Sequence, residues 1–259
     1  MRVGRPETVG AYGTLAGVAA PTMTDSRTAA NPAFAQYCEA IFELQEDDVD
    51  VIQARIAERL GISRPAVSEM VRRLEAEELI RLERMDGGDA GSGQVRGRIQ
   101  LTTTGRALAE SVVRRHRLAE RMLTDVLGLS WSEAHVEASR WEQVISPAVE
   151  RAINRLLNDP TTCPHGNPIP GSDYRPPDVV QLSELGPHQR FLVTRIPEEL
   201  EFTPGLLEFL ESASVTPGNR GGVSAVSPDG TMTIEVNGTY VGISRFAADR
   251  ILVARNETE

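Results

Sequence analysis

The sequence predicts a mainly α-helical protein that ends in a small β module. Three patterns lead to this prediction: two short amphipathic helices around a tight turn at residues 52–82, longer helical patterns at 103–157, and alternating strand patterns with two hairpin turns after residue 179. With 259 residues, the chain is long enough for two or three small domains.

Residues 52–82 have the pattern of a helix-turn-helix. Apolar residues recur at the spacing of a helix with one buried face, Gly61 suits the left-handed end of that helix, and Ser63 is placed to cap the next one. Ala57, Gly61 and Val67 stand where two steeply crossed helices need a small residue, a tight turn and a core contact. A generic helical hairpin rarely satisfies all three requirements, so the pattern favours a DNA-binding unit.

The flanking segments extend this unit to a winged helix-turn-helix. A helical pattern at 33–45 precedes it, and two alternating stretches at 80–84 and 95–101 follow it, joined by a glycine-rich loop. A hairpin directly after a recognition helix is a wing. Its arginines favour phosphate contact over a plain surface hairpin; they are Arg81, Arg84, Arg96 and Arg98.

Helical patterns fill the middle of the chain. A long helix is predicted at 103–127, a capping box that begins at Ser130 opens a helix to about residue 145, and Ser146 with Pro147 opens another through residue 157. We expect this helical set to form a dimer interface. The proline- and glycine-rich stretch that follows, 159–178, is predicted to be a linker without regular structure.

The C-terminal pattern predicts a small SH3-like barrel. It combines a strand at 190–196, a short helix at 204–212, and hairpin turns at Asp229-Gly230 and Asn237-Gly238. The expected segments are a disordered extension (1–31), a winged helix-turn-helix domain (32–102), a helical dimerisation and metal-binding domain (103–160), a linker (161–178) and the barrel (179–259).

Composition narrows the classes of function. The net charge of −10 argues against indiscriminate nucleic-acid binding, yet residues 52–115 contain twelve arginines against nine acids, which suits a protein that docks on DNA through one domain. Two cysteines make no disulfide framework, and no run of about 18 apolar residues occurs. We therefore expect a cytoplasmic protein with no membrane partner.

Three groups of side chains have the spacing of metal ligands. His116 and Glu120 lie one helical turn apart, His135 shares a helix stripe with Ser139 and Glu142, and Cys163 and His165 flank a proline. Imidazole, carboxylate and thiolate together suit a first-row divalent metal. Each group alone is also compatible with a solvated helix face or, for the cysteine, with a small buried hydrophobe.

Several strings resemble the DtxR/MntR family of metal-dependent transcriptional regulators: IAERLGISRPAVSEMVRRLE, LTTTGRALA, RRHRLAERMLTDVLGL, EASRWEQVIS and CPHGNPIPG. The resemblance implies a cytoplasmic homodimer that represses metal-homeostasis genes by binding operator DNA, with two dimers on one operator as a further arrangement. It implies activation by Fe(II) or Mn(II), with Zn, Co or Ni as substitutes. It also implies that the C-terminal module is the family's SH3-like, FeoA-like domain.

The resemblance suggests two versions of one metal site. In iron-type members the ligand positions correspond to His116, Glu120 and His135. In streptococcal-type manganese members, Glu120 instead joins Cys163, His165 and an acid of the C-terminal module, here Glu201 or one of its neighbours Glu198 and Glu199. Because both versions use Glu120, the sequence does not establish that they coexist.

The family's second, switch-coupled site is altered in this chain. Its positions correspond to Gln36, Glu39, Ser139, Glu142 and Gln143. Gln36, Ser139 and Gln143 replace stronger ligands, because amide and hydroxyl oxygens bind Fe(II) weakly compared with thiolate or imidazole. Two interpretations remain open: weak binding of Mn(II) or Mg(II), or loss of metal with Gln and Ser hydrogen-bonded to each other as a fixed switch.

The candidate DNA contacts lie on the helix-turn-helix and the wing. They are Arg55, Ser63, Arg64, Pro65, Ala66, Ser68, Glu69, Arg72, Arg73, Arg84 and Arg96. Residues at the start of the recognition helix are expected at base edges, and the arginines further along at phosphates. Each is also compatible with a solvated helix face.

Two other functions compete with metal-dependent repression. A winged-helix regulator with a degenerate switch site would answer to another signal or stay bound constitutively. A metal hydrolase using His116, Glu120 and His135 is disfavoured, because the chain has neither an H-E-x-x-H string nor a glycine-rich phosphate loop.

Overall fold

The computed structural model describes residues 31–84 and 97–256. The expected N-terminal extension up to residue 30, the loop of the wing and Arg96 lie outside the described residues, as does the side chain of Arg84. Within the described ranges, no helix is long and apolar enough to cross a membrane.

The N-terminal part is a winged helix-turn-helix. Its elements are α1 (Pro32–Glu46), α2 (Gln53–Leu60), α3 (Arg64–Ala76) and the antiparallel strands β1 (Ile80–Arg84) and β2 (Gly97–Leu101). Gly61 ends α2 with a φ of 63°, and the Ser63 side chain accepts from the Ala66 amide at the start of α3. Val67 is fully buried, so the predicted turn, cap and core contact are confirmed.

The middle of the chain forms a helical layer. It contains α4 (Thr103–Arg121), extended by a π-helical turn at Met122–Val126, then α5 (Trp131–Trp141) and α6 (Pro147–Leu156). The capping box at Ser130 is confirmed, but the prediction that α5 reaches residue 145 is wrong. The chain must leave the helical conformation before the Ser146-Pro147 start of α6, because a proline disfavours helix in the residue before it.

This layer exposes large apolar side chains to solvent. They are Val126, Leu127, Val136, Val144, Val149 and Leu156. A concentration of exposed apolar groups on one domain is typical of a surface that another protein chain covers.

The segment predicted to be a linker is packed rather than loose. Cys163, His165 and Asn167 are fully buried in a turn that the Cys163 amide closes by donating to the Asn167 carbonyl. Gly166 has a φ of +88°, and a Cβ there would lie 2.2 Å from the Thr194 carbonyl oxygen. The linker prediction is therefore wrong for this turn: glycine permits a close approach that holds it against the C-terminal domain.

The C-terminal domain is a six-stranded antiparallel sheet in the order β3-β8-β4-β5-β6-β7. The strands are β3 (Val180–Gln181), β4 (Arg190–Arg195), β5 (Arg220–Val226), β6 (Met232–Val236), β7 (Thr239–Ile243) and β8 (Leu252–Asn256). Three short helices accompany them: α7 (Glu198–Glu201), α8 (Leu206–Ser212) and α9 (Arg245–Ala248). The predicted turn at Asn237-Gly238 is confirmed as the tight connection between β6 and β7.

Helix α7 brings the C-terminal domain into contact with both other parts. Arg59 of α2 donates to the Glu198 backbone carbonyl (3.2 Å), and its guanidinium lies 3.5 Å from the centre of the Phe202 ring. Arg117 of α4 donates to the Glu198 carboxylate (3.3 Å). The short helix is thereby held between the DNA-binding unit and the helical layer.

Gly105 of α4 fixes the helical layer against the winged helix-turn-helix. The Leu79 carbonyl oxygen accepts from the Thr102 amide (2.9 Å), and it would lie 1.9 Å from a Cβ at Gly105. Only glycine allows α4 to begin this close to the end of the recognition unit.

We predict that Gly105→Ala lowers the free energy of unfolding by about 1–3 kcal/mol, because the overlap is with backbone that cannot rotate away. In an uncrowded helix the same change would raise the free energy of unfolding by about 1 kcal/mol. Gly242→Ala is the control, since no atom of the described residues lies within 4 Å of a Cβ built at that position. Denaturant unfolding measures both, and equal stability of the two variants would contradict the close approach.

Candidate metal centre

The Glu120 carboxylate is the centre of a buried cluster of donor atoms. Its Oε1 lies 3.2 Å from His116 Nε2, 3.2 Å from His135 Nδ1 and 3.5 Å from His165 Nδ1. Glu201 lies beside it, with Oε2 3.0 Å from His135 Nδ1 and Oε1 3.0 Å from His165 Nδ1. Both predicted versions of the site therefore meet at one point.

Four segments position these side chains. His116 and Glu120 project from one face of α4, since they are one turn apart. His135 comes from α5, and the buried turn at 163–167 supplies Cys163, whose ligand atom lies within 4.8 Å of those of Glu120 and His165. Glu201 ends α7.

Several buried atoms of the cluster have no hydrogen-bond partner among the described residues: Glu120 Oε2, Glu201 Oε2 and both ring nitrogens of His165. The contacts of Glu201 with His135 and His165, each 3.0 Å long, therefore lack the direction of a hydrogen bond. Buried polar atoms are rarely left unpaired. Converging lone pairs of this kind suit a cation.

The pKa values in the cluster reflect its opposite charges. Burial disfavours charged imidazoles, yet the neighbouring carboxylates raise the pKa of His116 and His165 well above its usual value and that of His135 to about 10. Burial opposes ionisation of Glu120 as well, but His165 and His116 hold its pKa below the usual value. Burial, reinforced by Glu120, raises the pKa of the Cys163 thiol to about 11.

The donors fit a first-row divalent metal. Bonds of about 2.0–2.2 Å to nitrogen and oxygen place neighbouring ligands about 3–3.5 Å apart, which is the range of the distances around Glu120 and Glu201. A cation would also satisfy the unpaired oxygens and balance the buried carboxylates.

The predicted switch site forms the wall of a cleft of about 420 Å³ next to this cluster. Gln36, Glu39, Ser139, Glu142 and Gln143 all line it. Ser139 donates to the His135 carbonyl of its own helix (3.2 Å), and Gln143 donates to Glu142 (3.0 Å). Gln and Ser therefore do not hydrogen-bond to each other as one interpretation expected.

Glu142 contacts the metal cluster through His116. Its Oε2 accepts from His116 Nδ1 (2.7 Å), which leaves Nε2 of the same ring facing Glu120. A carboxylate on the far nitrogen of a ligand histidine fixes the ring and its tautomer. A carboxylate oxygen of Glu39 lies within 4.8 Å of ligand atoms of His116 and Glu142. Burial, and after it the charges of Glu43 and Glu142, raises the pKa of Glu39 well above the usual value.

The three neighbouring acids of α7 have different surroundings. Glu201 lies in the cluster, while Glu198 has an oxygen 4.0 Å from His116 Nε2. Glu199 instead pairs with Arg250 (2.7 Å) at a partly exposed position.

Sequence reasoning missed one supporting residue. Asn167 is fully buried and donates to the Glu201 carboxylate (2.8 Å) and to the Ile196 carbonyl (3.0 Å). The only sequence signal was its place in the C-P-H-G-N string, and nothing there indicates that its amide reaches across to α7.

The candidate DNA-binding face is solvent-exposed. Ser63, Arg64, Pro65 and Ala66 are exposed at the start of α3, and Ser68 is half-buried. Further along, Arg72 pairs with Glu69 (2.6 Å), and the Arg73 guanidinium lies 5.2 Å from the Phe34 ring centre. On α2, the exposed Arg55 pairs with Glu58 (3.0 Å). Exposed pairs of this kind contribute little and can exchange for phosphates.

Three family models match the chain. The N-terminal DNA binding domain of iron dependent repressors matches residues 32–87, the metal binding and dimerisation domain of iron dependent repressors matches 102–171, and the FeoA domain matches 180–255. The FeoA domain is SH3-like, so the predicted fold class is confirmed.

Named relatives are repressors. The iron-dependent repressor IdeR of Mycobacterium tuberculosis is 41% identical over 213 residues, covering 78% of this chain and 87% of the relative. The diphtheria toxin repressor of Corynebacterium diphtheriae is 37% identical over 215 residues, covering 79% and 89%.

Two solved structures of metal-dependent regulators are similar to this chain over most of its length. A manganese-dependent transcriptional repressor in complex with manganese superposes with a TM-score of 0.72 at 30% identity, over 86% of this chain and 100% of the other. The manganese regulator SloR gives a TM-score of 0.64 at 28% identity, over 86% and 98%. The matches across all three domains show that this chain belongs to the DtxR/MntR family of metal-dependent transcriptional regulators.

Proposed function

We propose that this protein is a homodimeric repressor that binds operator DNA when Fe(II) or Mn(II) occupies the cluster around Glu120. Zn, Co or Ni would occupy the same donors as substitutes. It would act in the cytoplasm on metal-homeostasis genes, with one dimer or two on each operator. The observation that carries the proposal is the set of unpaired buried donor atoms around Glu120.

The residues of the cluster would have two roles. His116, Glu120, His135, Cys163, His165 and Glu201 would hold the ion. Glu142 and Asn167 would orient His116 and Glu201 through the hydrogen bonds described above. The bound cation supplies a charge that removes repulsion between carboxylates; it carries out no reaction.

The cleft of Gln36 and Ser139 is the weaker candidate. Glu142 uses one oxygen for His116 and the other for Gln143. The remaining potential ligands in the cleft are the Glu39 carboxylate and neutral amide and hydroxyl groups. We therefore assign the metal response to the Glu120 cluster rather than to this cleft.

Helix α7 connects the metal cluster to the helix-turn-helix. Glu201 faces the cluster at one end of α7, while the Glu198 carbonyl and the Phe202 ring hold Arg59 of the helix-turn-helix. Arg59 also pairs with Glu43 of α1, and both side chains are less than 10% exposed. Fixing α7 through Glu201 would thus fix the placement of α2 relative to α4.

A constitutive or otherwise triggered winged-helix regulator is the second candidate. The neutral residues at Gln36, Ser139 and Gln143 favour it, because they remove strong ligands from the switch position. The two candidates differ in whether metal changes operator affinity.

We predict that Mn(II) or Fe(II) raises operator affinity of the anaerobic protein about tenfold or more, since allosteric couplings of 1–3 kcal/mol are typical. Fluorescence anisotropy with the protein's own promoter region, titrated with each metal and then with chelator, measures this. An affinity that neither metal nor chelator changes would support the constitutive regulator instead.

We predict that Glu120→Gln abolishes the metal response, because it removes a charged ligand at constant size. Glu39→Gln should retain the response if the cleft is not the sensing site. Isothermal titration of Mn(II) together with operator binding compares the two variants, and thermal unfolding in chelator checks that both fold. Loss of the response in Glu39→Gln alone would place sensing in the cleft.

We predict that Arg59→Ala lowers operator affinity at saturating Mn(II) by about tenfold while metal stoichiometry stays the same. The substitution removes the contact between α2 and α7, and the pair with Glu43 of α1, without touching a ligand. Arg245→Ala, which removes an exposed pair with Asp249, is the control. Unchanged operator affinity in Arg59→Ala would rule out coupling of the metal cluster to the helix-turn-helix through α7.

A further inference from the structure

The Phe202 side chain contacts both a proposed metal ligand and the helix-turn-helix. Its ring centre lies 5.1 Å from the ring centre of His135 in α5, and the two ring planes are nearly perpendicular, at 88°. The guanidinium carbon of Arg59 in α2 lies 3.5 Å from the same Phe202 ring centre. One aromatic ring therefore joins a residue of the Glu120 cluster to a residue of the DNA-binding unit.

The position of Phe202 is not explained by packing in a hydrophobic core. The residue is 51% exposed, whereas Leu200, two residues earlier, is fully buried in the core of the C-terminal domain. Phe202 and Arg59 both line the cleft next to the cluster, and both also line a second cavity of about 260 Å³. The ring can thus reorient without disrupting packed neighbours, and its contacts with His135 and Arg59 restrict that freedom.

The Arg59 guanidinium is available for stacking because its nitrogens bind elsewhere. One nitrogen pairs with the Glu43 carboxylate of α1, and another donates to the Glu198 carbonyl (3.2 Å). These bonds lie at the edge of the planar group and leave its face for the Phe202 ring. A cation over the face of an aromatic ring is a favourable arrangement.

Metal binding would restrict Phe202 through two neighbours. A ligand histidine must point one ring nitrogen at the ion, so occupancy would fix the ring of His135. Glu201, the residue before Phe202, would be held by the same ion, since its Oε2 lies 3.0 Å from His135 Nδ1. The side chain against Phe202 and the backbone that carries it would both become ordered, which favours a fixed contact with Arg59.

We infer that Phe202 is a positioning residue that couples metal occupancy at His135 to the placement of Arg59 in the helix-turn-helix. This inference rests on the proposed metal response and identifies a side chain that regulates it. An edge-to-face aromatic pair and a stacked cation each change an equilibrium by about two- to tenfold. Contacts of that strength are sufficient for a metal response of about tenfold.

The test measures how much Mn(II) raises the operator affinity of full-length variants. Phe202→Leu, which removes the ring and keeps an apolar side chain, should reduce the gain from about tenfold to about twofold or less, with unchanged Mn(II) stoichiometry. Phe202→Tyr should retain the gain, because its hydroxyl can reach solvent at this half-exposed position. Phe209→Leu is the control: Phe209 of α8 is 40% exposed, and among the described residues no histidine ring or guanidinium stacks on it.

Arg59→Lys tests the other contact of the ring. Lysine keeps a positive charge for Glu43 but lacks the planar group that stacks on Phe202. Arg59→Lys should therefore reduce the metal gain about as far as Phe202→Leu does, and the double variant should reduce it no further, since both substitutions remove one contact. If Phe202→Leu fails to fold, Arg59→Lys alone decides, and a full metal gain in that variant would overturn the inference.

The wild-type measurement separates this inference from the proposed function. Operator affinity that Mn(II) leaves unchanged in the wild type would contradict the proposed function and the inference together. A wild-type gain of about tenfold beside an equal gain in Phe202→Leu would overturn only the role of Phe202. A gain lost equally in Phe202→Leu and Phe202→Tyr, or reductions that add in the double variant, would overturn it as well.

Discussion

Burial of the Glu120 carboxylate is the constraint on which the rest of this structure depends. The side chain is fully buried, and a buried carboxylate costs several kcal/mol unless cations or hydrogen bonds meet it. Imidazoles from α4, α5 and the turn at 163–167 surround it, and α7 brings a second carboxylate to the same place. Four distant parts of the chain must therefore come together before the charge is compensated.

A second buried charge ties this centre to the DNA-binding unit. Arg117, in α4 between His116 and Glu120, pairs with Glu46 at the end of α1 (2.6 Å) and with Glu198 of α7 (3.3 Å). Arg195 pairs with Asp47 just beyond α1 (2.6 Å). Breaking a buried pair leaves an uncompensated charge, so each contact resists separation of the domains. The end of α1 is thus held to the same helix turn that carries the metal ligands.

Sequence patterns predicted those features of the fold and the site that depend on residues close together in the chain. The Ala57–Gly61–Val67 spacing located the helix-turn-helix, and the one-turn spacing of His116 and Glu120 placed both on one helix face. The end of α5 at Trp141 was missed, because helix boundaries depend on the competition between neighbouring caps. The role of α7 was also beyond the sequence, since its approach to His135 depends on how a whole domain docks. The same long-range docking joined two ligand sets that the sequence could only offer as alternatives.

Anomalous diffraction from crystals of the Mn(II)-loaded protein tests most directly whether metal binds at Glu120. We predict anomalous peaks within about 2.0–2.3 Å of the Glu120 carboxylate, with ligands from His116, His135 and His165. Peaks only in the cleft between Gln36 and Ser139, with hydrogen bonds but no metal around Glu120, would contradict it.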